Sequence, residues 1–331
     1  MLIGVDIGGT KMLGLAASVD SAASVASNDG AGLDVLAECR VPTPTAGDEL
    51  VASLLTLVRT LEHECAVAAT ALAVGIAGLI DRNGVVRYSP HLADVVQYPL
   101  ARELSDALRR AVVVENDLTM ATLGEARLGA GRNCPDLIVV GLGTGIGTKF
   151  LIDGVLVRGA NGFAGEAGHM TVDRAGAQHV TGQSGAWEMY GSGNGLGALA
   201  RRMAIDGSAP SLVALAGSAD AVTGETVAKA LETGDAGALL VLDEYAEQVA
   251  IGIANLIMVL DPQRVILGGG VSELGEPLRS RVEAAAQRRV VGAAYRPAVP
   301  VVLAELGERA GALGAVLAAH DLSAERENPR I

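Results

Sequence analysis

Aromatic residues are scarce in this chain, at 2% of the sequence, although hydrophobic residues make up 50% of it. The interior must therefore be built from aliphatic side chains. The sequence has no run of Lys and Arg, and its net charge is −13, so we expect neither nucleic acid nor an anionic membrane surface as a partner. Every apolar run is interrupted by Gly or by a charge before the ~20 residues that span a bilayer.

Cysteine is also rare, and Cys39, Cys65 and Cys134 are odd in number and widely spaced. This spacing predicts neither a disulfide framework nor a Cys-rich metal site. The N-terminus runs directly into an apolar strand rather than a secretory signal, so we expect a cytoplasmic protein. A chain of 331 residues is long enough for about two domains.

The chain is organised around residues 1–18, which read MLIGVDIGGTKMLGLAAS. This pattern predicts an apolar strand, a Gly-Gly-Thr-Lys turn and a second apolar strand, with Asp6 near the end of the first strand. A similar pattern recurs at residues 137–154, where IGTKFL at 146–151 matches GGTKML at 8–13. The repetition predicts two halves built alike, with a phosphorylated ligand held between them.

Both turns have the composition of a phosphate-binding loop. Glycine allows the backbone to turn and to approach a ligand closely, and successive N–H groups in such a turn form an anion-binding concavity. A Walker loop or a Rossmann fingerprint would lead into a helix, whereas the residues that follow here continue as a strand. One copy could equally be an ordinary hairpin, but two copies favour phosphate binding.

The rest of the chain reads as an α/β protein, with strands first and then alternating strands and helices. Residues 48–64 have helical spacing of their apolar positions, whereas residues 208–218 are small and poorly patterned. Residues 159–195 form a long polar, Gly-rich stretch, and loops of that length are usually functional. We expect residues 19–33 to form a loose turn.

Several polar residues could carry chemistry. Asp117 follows a buried strand and opens a helix, where it could be a general base or an ordinary helix N-cap, and the residues leave both open. Glu166, His169 and Glu188 lie in the long polar stretch. Together with Asn116, they could bind a polyhydroxylated ligand, although a single histidine such as His169 is more often a satisfied, partly buried residue.

These motifs together resemble the ROK family, named for repressors, open reading frames and kinases. The resemblance covers nearly the whole chain. It implies an α/β protein with the two-lobed, actin-like (ribonuclease H-like) fold and an interlobe cleft. The matching motifs are Asp6-Ile-Gly-Gly-Thr-Lys11, Gly141-Leu-Gly-Thr-Gly-Ile-Gly147, Leu267-Gly-Gly-Gly-Val271, Glu115-Asn-Asp117 and Glu166-Ala-Gly-His169.

The resemblance also implies roles for individual residues. Asp117 is similar to the family's general base, which takes the proton from a sugar 6-hydroxyl. The implied sugar-binding residues are Gly78, Asn116, Asp117, Glu166, His169 and Glu188. The implied nucleotide-binding residues are Asp6, Gly8, Gly9, Thr10, Lys11, Gly143, Thr144, Gly145, Gly268, Gly269 and Gly270. Asp6 additionally resembles the carboxylate that lies near magnesium.

One departure from the family concerns its zinc motif, CxCGxxGCxE. The matching stretch, residues 179–188, has His179, Thr181 and Ala186 in place of the three cysteines, although Glu188 remains. Structural zinc needs four ligands, and two histidines are a weak zinc signal. We therefore expect no structural zinc, and we expect hydrogen bonds, through His179, to orient the ring of His169.

The resemblance implies ATP-dependent phosphorylation of a hexose at its 6-hydroxyl, most simply a glucokinase activity that uses Mg²⁺. The alternatives are a kinase for another hexose, for N-acetylmannosamine or for a hexose-like cyclitol, a polyphosphate donor, or a non-enzymatic sugar sensor. We expect a small lobe of residues 1–117 with 309–321, a large lobe of residues 118–308 and a polar tail at 322–331. The expected partners are sugar and nucleotide, and the expected assembly is a homodimer.

Overall fold

The chain forms two compact units in a computed structural model that describes residues 1–19, 32–44, 46–90, 92 and 94–327. The first unit consists of Met1–Pro135, Val155–Ala164 and Glu305–Ile331, and the second of Asp136–Gly154 and Gly165–Ala304. The first unit therefore contains more residues than the small lobe expected from the sequence, which is 1–117 with 309–321. Most of the predicted turn at 19–33 lies outside the described residues.

Strands and helices alternate in groups along the chain, and the five helices between residues 188 and 260 follow one another with no strand between them. The strands are β1 (Leu2–Ile7), β2 (Lys11–Val19), β3 (Leu33–Pro42), β4 (Ala71–Ile76), β5 (Leu79–Ile80), β6 (Val86–Tyr88), β7 (Ala111–Asn116), β8 (Leu137–Leu142), β9 (Ile146–Ile152), β10 (Val155–Leu156), β11 (Arg264–Gly268) and β12 (Val301–Leu303). The helices are α1 (Gly47–Cys65), α2 (Leu100–Leu108), α3 (Asp117–Leu128), α4 (Glu188–Gly191), α5 (Gly193–Ile205), α6 (Pro210–Ala216), α7 (Gly224–Glu232), α8 (Ala236–Leu260), α9 (Glu276–Arg289) and α10 (Ala310–Glu327).

The sheet of the first unit has the strand order β3-β2-β1-β4-β7. β1 and β2 form the predicted antiparallel hairpin, with Asp6 opposite Leu13. β4 lies parallel to β1, and β7 lies parallel to β4. Since β1, β4 and β7 run in the same direction, their carboxyl ends meet at one edge of the sheet. That edge carries Asp6, Gly78, Asn116 and Asp117 at or just after the strand ends.

The second unit repeats this plan, with the strand order β10-β9-β8-β11-β12. β8 and β9 form an antiparallel hairpin, and β11 and then β12 extend the sheet in parallel. The prediction of two halves built alike is confirmed. The carboxyl ends of β8 and β11 carry the turn at 143–145 and the glycines at 268–270.

The sheet of the first unit is covered on both faces. On one face, α1 buries the apolar residues that share its predicted stripe, which are Leu50, Leu54, Leu57, Val58 and Leu61. On the other face, α10 packs against β1 and α3 through small residues. A Cβ at Gly4 would overlap the backbone of α10 at Ala312, so the helix approaches the sheet at backbone distance.

The core of the second unit is centred on α8, whose buried residues include Tyr245, Val249 and Ile253. Trp187 is fully buried against this helix. Its ring occupies the space where a side chain at Gly252 would lie, and its Nε1 donates to the carbonyl of Gln248 at 3.1 Å. Trp187 thereby fixes the start of α4, which carries Glu188.

Two segments differ from the sequence prediction. Residues 208–218 contain α6, which begins at Pro210, buries Leu212 and is followed by Gly217 in the left-handed conformation. Pro at the first helical position and Gly after the last are ordinary helix signals. The stretch at 159–195 contains the short helix α4 and the start of α5 as well as loop.

Helix α10 continues through Glu327 and so extends into the predicted polar tail at 322–331. Arg127 on α3 makes a bidentate ion pair with Asp321, at 2.9 and 2.8 Å, which holds the extra turn. Leu322 packs against the apolar cluster under α10. Among the described helices, none combines the length and apolarity needed to span a bilayer.

Candidate functional site

Asn116 and Asp117 join β7 to α3. The N-cap of α3 is Asn116, whose Oδ1 accepts from the backbone N–H of Thr119 at 3.1 Å. Asp117 is the first residue of the helix, so the interpretation of Asp117 as the N-cap is wrong. Oδ1 of Asp117 instead accepts from the backbone N–H of Leu118 at 2.8 Å and from Asn116 Nδ2 at 2.9 Å.

Asp6 lies near the end of β1 and is partly buried. Burial raises the pKa of its carboxyl to about 7, and repulsion from Asp117 contributes to this shift. A Cβ at Gly311, in the first turn of α10, would lie 2.5 Å from the carboxyl carbon of Asp6. Only glycine at 311 leaves this carboxyl room.

The carboxyl of Asp6, which Asp117 repels, fits Mg²⁺. Mg²⁺ is a hard cation that is bound through one or two carboxylates together with substrate phosphates. Two carboxyl groups that raise one another's cost of ionisation are stabilised when a divalent cation neutralises them. Asp6 has a raised pKa, so a bound cation would favour its ionised form over its protonated form.

The turn after β1 is closed by backbone hydrogen bonds. Gly8 N–H donates to the carbonyl of Lys11 at 3.0 Å, and Thr43 Oγ1 donates to the carbonyl of Gly8 at 2.7 Å. Gly9 and Thr10 are exposed at its tip. Lys11 Nζ pairs with Glu308 at 2.9 Å, and this exposed ion pair is weak enough for a phosphate to replace it.

Gly78 follows β4 and has a φ of +135°, which favours glycine. A side chain there would overlap the carbonyl oxygen of Tyr88. The carbonyl of Gly78 itself accepts from Asn116 Nδ2 at 3.1 Å. The loop is thereby attached to the residue that caps α3.

The hairpin that follows Gly78 is stabilised by a carboxylate that the sequence analysis missed. Asp81 is buried, and it accepts from the N–H groups of Asn83 and Val85 at 2.9 and 3.0 Å and from Arg87. Although burial alone would raise it, these hydrogen bonds hold the pKa of Asp81 below its usual value. A D-x-N-G-V turn is a recognisable signal for such an arrangement.

In the second unit, the turn at 143–145 is held by Glu188. Glu188 Oε2 accepts from the backbone N–H of Ile146 at 2.8 Å. A side chain at Gly145 would overlap this oxygen. The turn is closed further by the N–H of Gly143, which donates to the carbonyl of Gly145 at 3.0 Å. Thr144 is exposed at its tip.

Glu166 precedes a short 3-10 turn, Ala167–His169, and His169 is the last residue of this turn. Lys149 on β9 lies 3.8 Å from Glu166 Oε1, and its side chain is 6% exposed. This buried lysine was not predicted from the sequence, and its charge balances the carboxylate. Nδ1 of His169 is buried and has no hydrogen-bond partner among the described residues.

His179 lies beside both His169 and Glu188. Its ring centroid is 5.3 Å from that of His169, and its Nε2 is 3.1 Å from Glu188 Oε1. One ligand atom from each of these three residues lies within 4.8 Å of the others. Thr181 is exposed, whereas Ala186 is fully buried. The expected link to His169 is a ring contact, and the hydrogen bond of His179 runs to Glu188.

The glycines after β11 form a tight turn. Gly269 has a φ of +82°, and a Cβ there would lie 2.6 Å from the carbonyl oxygen of Leu142 at the end of β8. A Cβ at Gly270 would meet no atom within 4 Å, so this backbone is open to a ligand. A flat ring could lie against it.

The structure therefore brings the predicted residues together in two groups. The first unit holds Asp6, Gly8, Gly9, Thr10, Lys11, Gly78, Asn116 and Asp117. The second unit holds Gly143, Thr144, Gly145, Glu166, His169, Glu188, Gly268, Gly269 and Gly270. Each group combines a glycine turn between two antiparallel strands with carboxylates at the ends of strands or helices.

The ROK family profile matches residues 2–322. The chain belongs to the ROK family. This ROK protein is 33% identical over 321 residues to a glucokinase from Streptomyces coelicolor, with 95% of this chain and 96% of the relative covered. The known fold of the family, two-lobed and actin-like, is therefore its fold.

Solved structures agree with this assignment. A ROK family glucokinase from Streptomyces griseus, crystallised with glucose and AMPPNP, matches with a TM-score of 0.78 and 33% identity, covering 97% of this chain and 99% of that one. A ROK hexokinase from Thermus thermophilus matches with a TM-score of 0.79 and 30% identity, covering 98% and 99%. The match to both structures extends over both units of this ROK protein.

Proposed function

We propose that this ROK protein is an ATP-dependent hexose kinase that phosphorylates the 6-hydroxyl, with glucose as its acceptor. The observation that carries the proposal is the position of Asp117. Asn116 caps α3, so the carboxylate of Asp117 is not used as the cap and stands beside Asp6 at the carboxyl edge of β1, β4 and β7. The glucokinase relatives support glucose as the sugar.

In this mechanism, Asp117 is the general base. A sugar hydroxyl is a poor nucleophile until its proton is accepted, and a positioned carboxylate can accept it. The hydrogen bonds from Leu118 N–H and Asn116 Nδ2 fix Oδ1 and hold the carboxyl plane in one orientation. The hydroxyl oxygen attacks the γ-phosphorus, ADP leaves, and the proton passes to Asp117.

The nucleotide is bound mainly through backbone N–H groups. The turns at 8–11 and 143–145 supply donors for phosphate oxygens, and the open backbone at Gly270 accommodates the adenine ring. Lys11 exchanges Glu308 for a phosphate. Asp6 would hold Mg²⁺, and the ion would neutralise charge on the transferring phosphoryl group.

The sugar is bound by polar side chains that stand in fixed orientations. Asn116, Glu166, His169 and Glu188 bind its hydroxyls, and the loop at Gly78 covers it. Lys149 Nζ lies 3.8 Å from Glu166 Oε1, and a carboxylate accepts strong hydrogen bonds from hydroxyl groups. The protein works without a four-ligand structural zinc, as a cytoplasmic homodimer.

The test measures turnover with a panel of phosphoryl donors and sugar acceptors. The purified protein is assayed with ATP or polyphosphate, with and without Mg²⁺, and with glucose, mannose, fructose, N-acetylmannosamine and a cyclitol. We expect ATP, Mg²⁺ and glucose to give the highest kcat/KM, and phosphorus NMR to show glucose 6-phosphate. Binding of glucose without turnover of any acceptor would identify a sensor instead.

A further inference from the structure

We propose that His179 is a positioning residue that holds Glu188 in the orientation needed to bind the sugar. The proposal rests on the proposed function, because it takes Glu188 as a sugar ligand. His179 Nε2 lies 3.1 Å from Glu188 Oε1, and the imidazole is 9% exposed. A ring so little exposed to water has its hydrogen-bonding state determined by its protein neighbours.

The tautomer of His179 follows from the atoms around Nδ1. The backbone N–H of Thr181 points at Nδ1 at 3.3 Å, and a backbone N–H can only donate. Nδ1 is therefore an acceptor, and it also accepts from Thr181 Oγ1 at 2.8 Å. A neutral imidazole that accepts at Nδ1 carries its proton on Nε2. His179 accordingly donates to Glu188 Oε1.

Glu188 is thus held from two sides. Oε1 accepts from His179, and Oε2 accepts from the N–H of Ile146, which follows the turn at 143–145. These two bonds fix the rotation of the carboxyl group while leaving further lone pairs of both oxygens for sugar hydroxyls. They also join a sugar-binding side chain to a turn that the proposed function assigns to phosphate.

A compact loop supports His179 in turn. The N–H of His179 donates to the carbonyl of Gln183 at 2.6 Å, and the N–H of Gly182 donates to the carbonyl of His179 at 2.9 Å. Gln183 Nε2 donates to Thr171 Oγ1 at 3.1 Å and to the carbonyl of His169. The loop thereby places the imidazole through hydrogen bonds.

The test compares two substitutions at one position. Gln can present an amide N–H close to the place of Nε2, whereas Leu fills the space without a donor. We expect His179→Leu to raise the KM for glucose, and its Kd by calorimetry, about tenfold or more, as for a lost hydrogen bond to a charged group. We expect His179→Gln to stay within about threefold of the wild type, and both variants to keep the KM for ATP.

Two further variants complete the set. Thr181→Val removes the hydroxyl donor but keeps the backbone N–H, so we expect an effect between those of Gln and Leu. His63→Gln, at an exposed position on α1, is the matched control and should change neither KM. Thermal unfolding shows that each variant is folded.

Three outcomes would overturn the proposal. The first is an unchanged glucose KM in His179→Leu, and the second is an equal increase in the Leu and Gln variants. The third is one tightly bound metal ion per chain whose removal by a chelator raises the glucose KM, because the same three side chains would then be metal ligands. Failure of the proposed function would look different, since the wild-type protein would then turn over no hexose.

Discussion

The carboxyl groups of Asp6 and Asp117 repel one another in the first unit. This repulsion adds to the effect of burial and raises the pKa of Asp6 to about 7. The two residues are more than a hundred positions apart in sequence. They meet because β1 and β7 end at the same edge of the sheet, on either side of β4.

Asp6 should make the stability of the protein depend on pH. Its folded-state pKa is about 7 against a reference value of 3.8, so between these values the folded state binds more protons than the unfolded state. The contribution of Asp6 to the free energy of unfolding is therefore fully present below pH 3.8, and it is lost as the pH rises towards 7. Over this pH range, we expect the free energy of unfolding of the wild type to fall by up to about 4 kcal/mol relative to that of Asp6→Asn.

The measurement is urea unfolding of both proteins across this pH range without Mg²⁺, with Asp106→Asn as the control because Asp106 is exposed on α2. The two stability curves should converge at low pH and separate as the pH rises. Parallel curves for the wild type and Asp6→Asn would contradict the raised pKa.

Glu125 should be important for stability. This buried carboxylate on α3 accepts from the N–H groups of Ala130, Glu305 and Leu306 at 2.9, 3.1 and 2.8 Å. Gln would replace one acceptor oxygen by an amide N–H that faces a backbone donor. We expect Glu125→Gln to lower the free energy of unfolding by about 2–4 kcal/mol. Glu103→Gln, at an exposed site on α2, should change it little, and similar values for the two variants would refute the role of Glu125.

Gly314 should tolerate no side chain, because α10 and α3 touch at their backbones. A Cβ at Gly314 would overlap the carbonyl oxygen of Met120 and lie 2.9 Å from the nitrogen of Gly124. We expect Gly314→Ala to destabilise the protein by about 1–3 kcal/mol or more. Gly270→Ala is the control, since a Cβ there meets no atom within 4 Å. Chemical unfolding that gives equal stabilities for the two variants would show that the helices can separate without cost.

The sequence alone predicted the repeated hairpins and most helices, because apolar periodicity and turn glycines are local signals. α1, for example, extends only one residue beyond the predicted 48–64 at each end. α6 was missed because Leu212 is the single fully buried apolar residue in that short helix, and so no stripe is visible.

Sequence motifs identified the predicted site residues, but the interactions of these residues in the fold could not be predicted from the sequence. Lys11 pairs with Glu308, which is 297 residues away, and no local pattern reports such a contact. Likewise, the sequence left Asp117 as either a base or a cap, and only the hydrogen bond between Asn116 and Thr119 identifies the cap. Lys149 reads as an ordinary strand residue until its burial beside Glu166 is known.

The most direct test of the central claim is the turnover of Asp117→Asn. The amide is nearly isosteric and can still hydrogen-bond a hydroxyl, but it is a far weaker base. We expect kcat to fall by at least about 10²-fold, or roughly 3 kcal/mol, with glucose affinity by calorimetry largely kept. Glu166→Gln should do the reverse and mainly weaken glucose binding. If Asp117→Asn retains more than about a tenth of the wild-type kcat, then Asp117 is not the general base.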